Sequence, residues 1–195
     1  MIETILSNIA KCYYPSRIEE IINMEEYNNT IESKNLRLVQ NTFDHILRSK
    51  EQWEDYAVNF KNIRSDFNYH DVTLFSSGDR ALNFQLTTML GNKLHSICMN
   101  ISILIPYYTY YVLEAEVDVD KLKWIKKPII RKDLEALYSD EIEKMCILTE
   151  NKFRFSKFPI ELLDYKLPEI NKSFIPFGDF TFFNAFFLDE YYTRL

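Results

Sequence analysis

Glu114, Glu116, Asp118 and Asp120 recur at every second position, with Leu113, Ala115, Val117 and Val119 between them. On an extended chain this spacing turns all four carboxylates to one face and the aliphatic side chains to the other. It predicts an acidic stripe about 20 Å long, with neighbouring carboxylates roughly 6–7 Å apart. Like charges in a row weaken a sheet, so groups of opposite sign are expected nearby. Counting pairs back across the turn near Pro106 brings Lys93 and His95 close to the far end of the stripe. Tyr107, Tyr108, Tyr110 and Tyr111 lead into it. Tyrosine is enriched at protein interfaces, which makes Glu114, Glu116, Asp118, Asp120, Tyr108 and Tyr110 candidate contacts for a protein partner. Calcium binding is a poorer fit, because carboxylates strung along one strand cannot wrap an ion as a calcium-binding loop does. A solvated sheet face is the plainer alternative.

Other reactive groups are sparse. His70-Asp71 has the form of the HD dipeptide of metal phosphohydrolases, whose chemistry needs further imidazole and carboxylate ligands around one ion. His45, His70 and Asp71 are the candidates for such a site, in an alternative reading of the chain as an enzyme or small-ligand module. A Cys–His nucleophile pair, such as Cys98 with His95, is a further arrangement to consider. Cys12, Cys98 and Cys146 are odd in number and widely spaced, matching neither a zinc framework nor CxxC chemistry. The sequence holds no GxSxG, HExxH, P-loop or GxGxxG, and its three glycines leave little material for phosphate-cradling loops. No cofactor, no metal and no catalysis are expected.

Lys121, Lys123, Lys126, Lys127, Arg131 and Lys132, with Trp124 among them, follow the acidic stripe and could hold phosphate or RNA. A solvated loop and first helical turn beside an acidic strand is the plainer reading of them. The net charge of −6 argues against duplex DNA.

The elements that must position these groups can be read from periodicity. The length of 195 residues suits a single domain, 1–195, that buries about 70% of its extended surface. Residues 1–66 have helical spacing: Ile2, Ile5, Leu6 and Ile9, then Leu36, Val39, Phe43, Ile46, Trp53, Tyr56, Phe60 and Ile63. Ser16 with Glu19 reads as a capping box opening a short helix, and Ser49 with Gln52 could cap another. From residue 67 to 120 the period falls to two, with turns at Ser76–Asp79, Gly91-Asn92 and Pro106-Tyr107. Short links favour antiparallel neighbours, so a four-stranded meander is expected. Residues 121–195 read as mostly helical, including a short helix at Phe158–Leu163. Thr181–Phe187 fits a helix or a buried strand. The fold class is therefore α+β, with helices on one face of the sheet. No basic-then-apolar leader and no apolar run of membrane-spanning length occur, so a cytoplasmic location without membrane contact is expected.

The stretch Phe158-Pro159-Ile160-Glu161-Leu162-Leu163-Asp164-Tyr165-Lys166-Leu167-Pro168-Glu169-Ile170, followed by Phe177-Gly178-Asp179-Phe180-Thr181-Phe182-Phe183-Asn184-Ala185-Phe186-Phe187-Leu188-Asp189, resembles the tail of small immunity proteins of bacterial polymorphic toxin systems. The shared features are a Pro–Glu–Leu–Leu segment, a Pro–acid–Ile step and a Thr–aromatic–Phe–Asn run. They cover about a sixth of the chain. The resemblance implies a non-enzymatic protein that neutralises one cognate toxin, and it carries over no functional residue. An acidic, tyrosine-flanked strand suits a basic toxin domain.

Overall fold

The alternating segments pair in sequence order. The computed structural model describes residues 1–48, 54–75, 78–121 and 123–193. Five strands make an antiparallel meander: β1 (Asn68–Asp71), β2 (Ala81–Leu90), β3 (Lys93–Ser102), β4 (Tyr107–Asp118) and β5 (Lys123–Ile130). A sixth, β6 (Ser156–Lys157), lies parallel to the start of β4. Gly91 makes the two-residue link between β2 and β3 possible. Leu90 pairs with Lys93 across the turn, and Gly91 adopts φ +65°, a value open to glycine at little cost. Part of the expected Ser76–Asp79 turn and the Ser49/Gln52 cap lie outside the described residues.

β5 corrects the expectation that the sheet ends at residue 120. The segment assigned to a loop and a helical turn pairs instead with β4, from Asp118↔Lys123 to Leu113↔Ile130. Its pattern is irregular because the register shifts twice around Glu116, which breaks the period-two signal. Pro128 is tolerated because β5 is an edge strand with no further neighbour to bond.

The helices are α1 (Ile2–Lys11), α2 (Met24–Asn29), α3 (Ile31–Arg48), α4 (Glu54–Lys61), α5 (Ser139–Phe153) and α6 (Phe182–Phe186). Thr30 caps α3, its Oγ1 accepting from Ser33 N at 3.2 Å. Residues 16–22 are not helical, against the capping-box signal. Ser16 bridges to Ile170 instead, and the Glu20 carboxylate bonds Lys172 and the Ser173 N–H. Phe158–Leu163 tightens only to a 3-10 turn at Ile160–Leu162. The C-terminal region is mostly loop around α5 and α6. The open choice at 181–187 resolves as helix through a capping box: Asn184 N reaches Thr181 Oγ1, and Asn184 Oδ1 accepts from Thr181 N at 2.9 Å.

Both faces of the sheet are covered, not one. Phe84, Leu86, Ile97, Met99 and Val112 pack with Tyr56 and Phe60 of α4 and with Ile142 and Met145 of α5. Cys98, Tyr111 and Leu113 pack on the other face with α1, α6 and Phe158. β3 is buried at every position except Lys93. Its alternation of Ile97, Met99 and Ile101 with Ser96, Cys98 and Asn100 reads as core against solvent. The polar set is in fact covered by the C-terminal segment: Gln85 Nε2 and the Tyr111 hydroxyl both donate to the Tyr192 carbonyl at 3.2 Å. Arg80, 1% exposed, ties β2 to this layer through Asn184 O and the Asp189 carboxylate.

Candidate functional site

The register of β3 against β4 puts Lys93 opposite Glu116 and His95 opposite Glu114, as counting from the turn predicts. Leu113, Ala115 and Val117 are buried on the inner face of β4, and Glu114, Glu116 and Asp118 project from the other. The carboxylates are not a bare stripe. Glu114 is 12% exposed at its side chain and is held by Arg131 Nη1, His95 Nε2 at 3.1 Å and Lys93 Nζ at 3.3 Å. Burial pushes its pKa up. Hydrogen bonds from Lys93 and His95 and the charge of Arg131 outweigh that, leaving Glu114 below the usual carboxylate range. Lys126 from β5 sits 2.9 Å from Glu116 and likewise lowers its pKa. Asn92 Nδ2 adds a bond to Glu116 at 3.1 Å. Asp118 accepts from the Lys121 N–H and pairs with Lys121 Nζ, both at 3.1 Å. Asp120 lies beyond the strand, exposed in the turn to β5. The compensation expected for a row of like charges is therefore built in, and β5 supplies much of it.

The tyrosines divide. Tyr108 is buried and donates to Glu150 Oε1 of α5 at 2.6 Å, so it is a core contact and no surface residue. Tyr110 is half-buried and accepts from Lys157 Nζ at 2.8 Å, with that ammonium 4.1 Å from its ring centroid. Lysine and ring together make a small amphipathic patch at the start of β4.

The basic run is fragmented in the same way. Lys121, Lys126 and Arg131 are each ion-paired to a carboxylate of β4, and Arg131 also to Asp133 at 2.7 Å. Lys123, Lys127 and Lys132 make no ion pair among the described residues, so half of the run's positive charge is taken up within the sheet. β5 displays apolar groups instead: Trp124 is 38% exposed, Ile125 53%, Ile129 56% and Ile130 39%. Trp124 pairs with Val117 and flanks a small buried cluster of Leu94, Ala115 and Val117. These exposed residues were masked in the sequence by the lysines between them; the signal was an Ile-rich stretch broken by Pro128.

His95 is pinned at both ring nitrogens, by Glu114 and by the Tyr138 hydroxyl at 2.6 Å. With both nitrogens engaged and the ring buried, it crosslinks α5's start to the sheet and has no free nitrogen to act as a base. Cys98 is three residues along β3 and so faces the opposite side. Burial pushes its thiol up to about 12, where it is a poor nucleophile. The metal alternative is not assembled either. His45 is exposed on α3, His70 Nε2 meets Thr87 Oγ1 at 3.0 Å, and Asp71 accepts from the Thr73 N–H at 3.1 Å. Among the described residues no group of three or more His, Cys, Asp or Glu side chains is placed to hold an ion. No described helix is long and apolar enough to cross a membrane. The chain matches no family model, no curated protein and no solved structure.

Proposed function

We propose that this chain is a non-enzymatic binding protein of the immunity type, which neutralises a cognate toxin by covering its working surface in the cytoplasm. The observation that carries the proposal is the β5 edge. An eight-residue strand exposes Trp124, Ile125, Ile129 and Ile130 beside a rim of paired charges. Trp124 and Ile130 stand on the face of Val117 and Leu113 and Ile129 on that of Glu114, so apolar groups with an aromatic anchor wrap the edge between paired charges, a mix that suits a protein interface. Pro128, three lysines and two register shifts discourage another strand from adding to this edge, so a partner docks through side chains. Glu116 and Asp118 border it on the face that carries Ile129. Because Glu116 and Asp118 are already neutralised by Lys126 and Lys121, the border fixes register more than it steers encounter.

The test is stoichiometric inhibition of a toxin domain encoded beside this chain. A 1:1 complex that abolishes toxicity is expected, with Trp124→Ala weakening it by roughly 2 kcal/mol. Reversing Glu116 and Asp118 to Lys should slow association and change its salt dependence. A toxin that remains fully active in excess of this protein overturns the proposal.

A further inference from the structure

A second surface is built where residues 16–24 run beside residues 169–175. Lys172 and Ile175 exchange both backbone hydrogen bonds, at 3.0 and 3.3 Å, which leaves Ser173 and Phe174 at the tip of a tight turn. Ser173 takes φ +55° there. Glu20 holds the turn by accepting from the Ser173 N–H and from Lys172, and buried Asn171 bonds Glu20 N and Ile175 O, each at 2.9 Å. The outcome of this bracing is a phenylalanine side chain left 93% exposed. Ile21 and Ile22 follow Glu20 directly and are 52% and 70% exposed, and Met24 is 58% exposed. A cleft of about 420 Å³ beside them is lined by Ile22, Met24, Glu25 and Glu26. Neither Glu25 nor Glu26 has an ion pair among the described residues, in contrast to the carboxylates of β4. Arg17 stands at a larger neighbouring cleft whose Lys11 is taken up by Glu169 at 2.7 Å.

We infer that Phe174, on its Glu20-braced turn, is the anchor of a docking surface for a protein with an apolar pocket rimmed by basic residues. The bracing fixes the backbone that presents Phe174, and an aromatic side chain with only two χ angles loses little conformational freedom on insertion. Glu25 and Glu26, without an ion pair among the described residues, select a cationic rim and repel the anionic lipid surface that an exposed aromatic would otherwise enter. The inference rests on the binding-protein reading and adds an anchor separate from β5.

Photo-crosslinking in the host cell tests it, with p-benzoylphenylalanine placed in separate proteins at position 174, at Ile125 on β5 and at Val58 as an exposed control. Position 174 is expected to capture one basic protein. With both proteins purified, Phe174→Ala should weaken the complex roughly 30-fold at unchanged melting temperature. Glu25→Lys with Glu26→Lys should slow association and flatten its salt dependence. Capture from Ile125 alone, or a Phe174→Ala complex within threefold of the original affinity, overturns the inference while the binding reading stands. Capture of lipid or of a second copy at 174 overturns it too. No capture at either position removes both.

Discussion

Glu114 shows how little a residue's type reveals about its exposure. Its place in the alternation marks it as a solvent-facing acid, yet Arg131, Lys93 and His95 enclose it. Arg80 is the extreme case, a charge 1% exposed whose partners are backbone carbonyls and Asp189. Removing it leaves the Asn184 and Gly78 carbonyls without a donor and Asp189 without its partner, so Arg80→Met is expected to cost about 3 kcal/mol in chemical denaturation. Asp79 beside it is pushed up to about 6, chiefly by burial, from an ordinary 3.8. In the folded chain it keeps its proton through a window in which the unfolded chain has lost it. Stability therefore falls as pH rises from about 4 to about 6, and the cost persists above that. Asp79→Asn should raise the melting temperature at pH 7 relative to the parent and lose that advantage near pH 4, a gain on the order of 2 kcal/mol.

Elements were legible where one periodicity ran unbroken. β2, β3 and β4 follow from alternation, and α1 and α3 from three-and-four spacing. β5 was not legible, because bulges and lysines hide the pairing of Val117 with Trp124 and of Glu116 with Lys126. Those same features disfavour addition of another strand at this edge. Lys127→Val combined with Pro128→Val, which adds a backbone donor and removes a charge, should make the protein aggregate at concentrations where the parent stays in solution, as read by light scattering. The short helix at 16–22 failed for the opposite reason: its local capping signal is real, but Glu20 and Ser16 make longer-range bonds to residues 170–173. α6 is only five residues long and depends on its cap and its burial more than on propensity. Asn184→Ala, which removes the side-chain acceptor for Thr181 N and the donor to the Leu188 and Asp189 carbonyls, is expected to destabilise by about 2 kcal/mol.

At the scale of the whole molecule, the C-terminal segment makes a half-covered sheet into a three-layer structure. Tyr191 stacks on Phe183 with centroids 3.9 Å apart, and Tyr192 bonds Val72 O at 3.0 Å through its hydroxyl. Ending the chain after Glu190 uncovers Gln85, Cys98 and Tyr111 and should lower the melting temperature by roughly 5–10 °C in calorimetry. Composition and periodicity alone determined an α+β chain with an antiparallel sheet, its central strands and the spacing of its four acids, since these depend on neighbours a few residues apart. What lies on each face of that sheet, which acids remain unpaired and which aromatic side chain stands in solvent were decided only by tertiary structure. Burial and ion pairing depend on groups more than a hundred positions away, as Glu20 with Lys172 and Arg80 with Asp189 are.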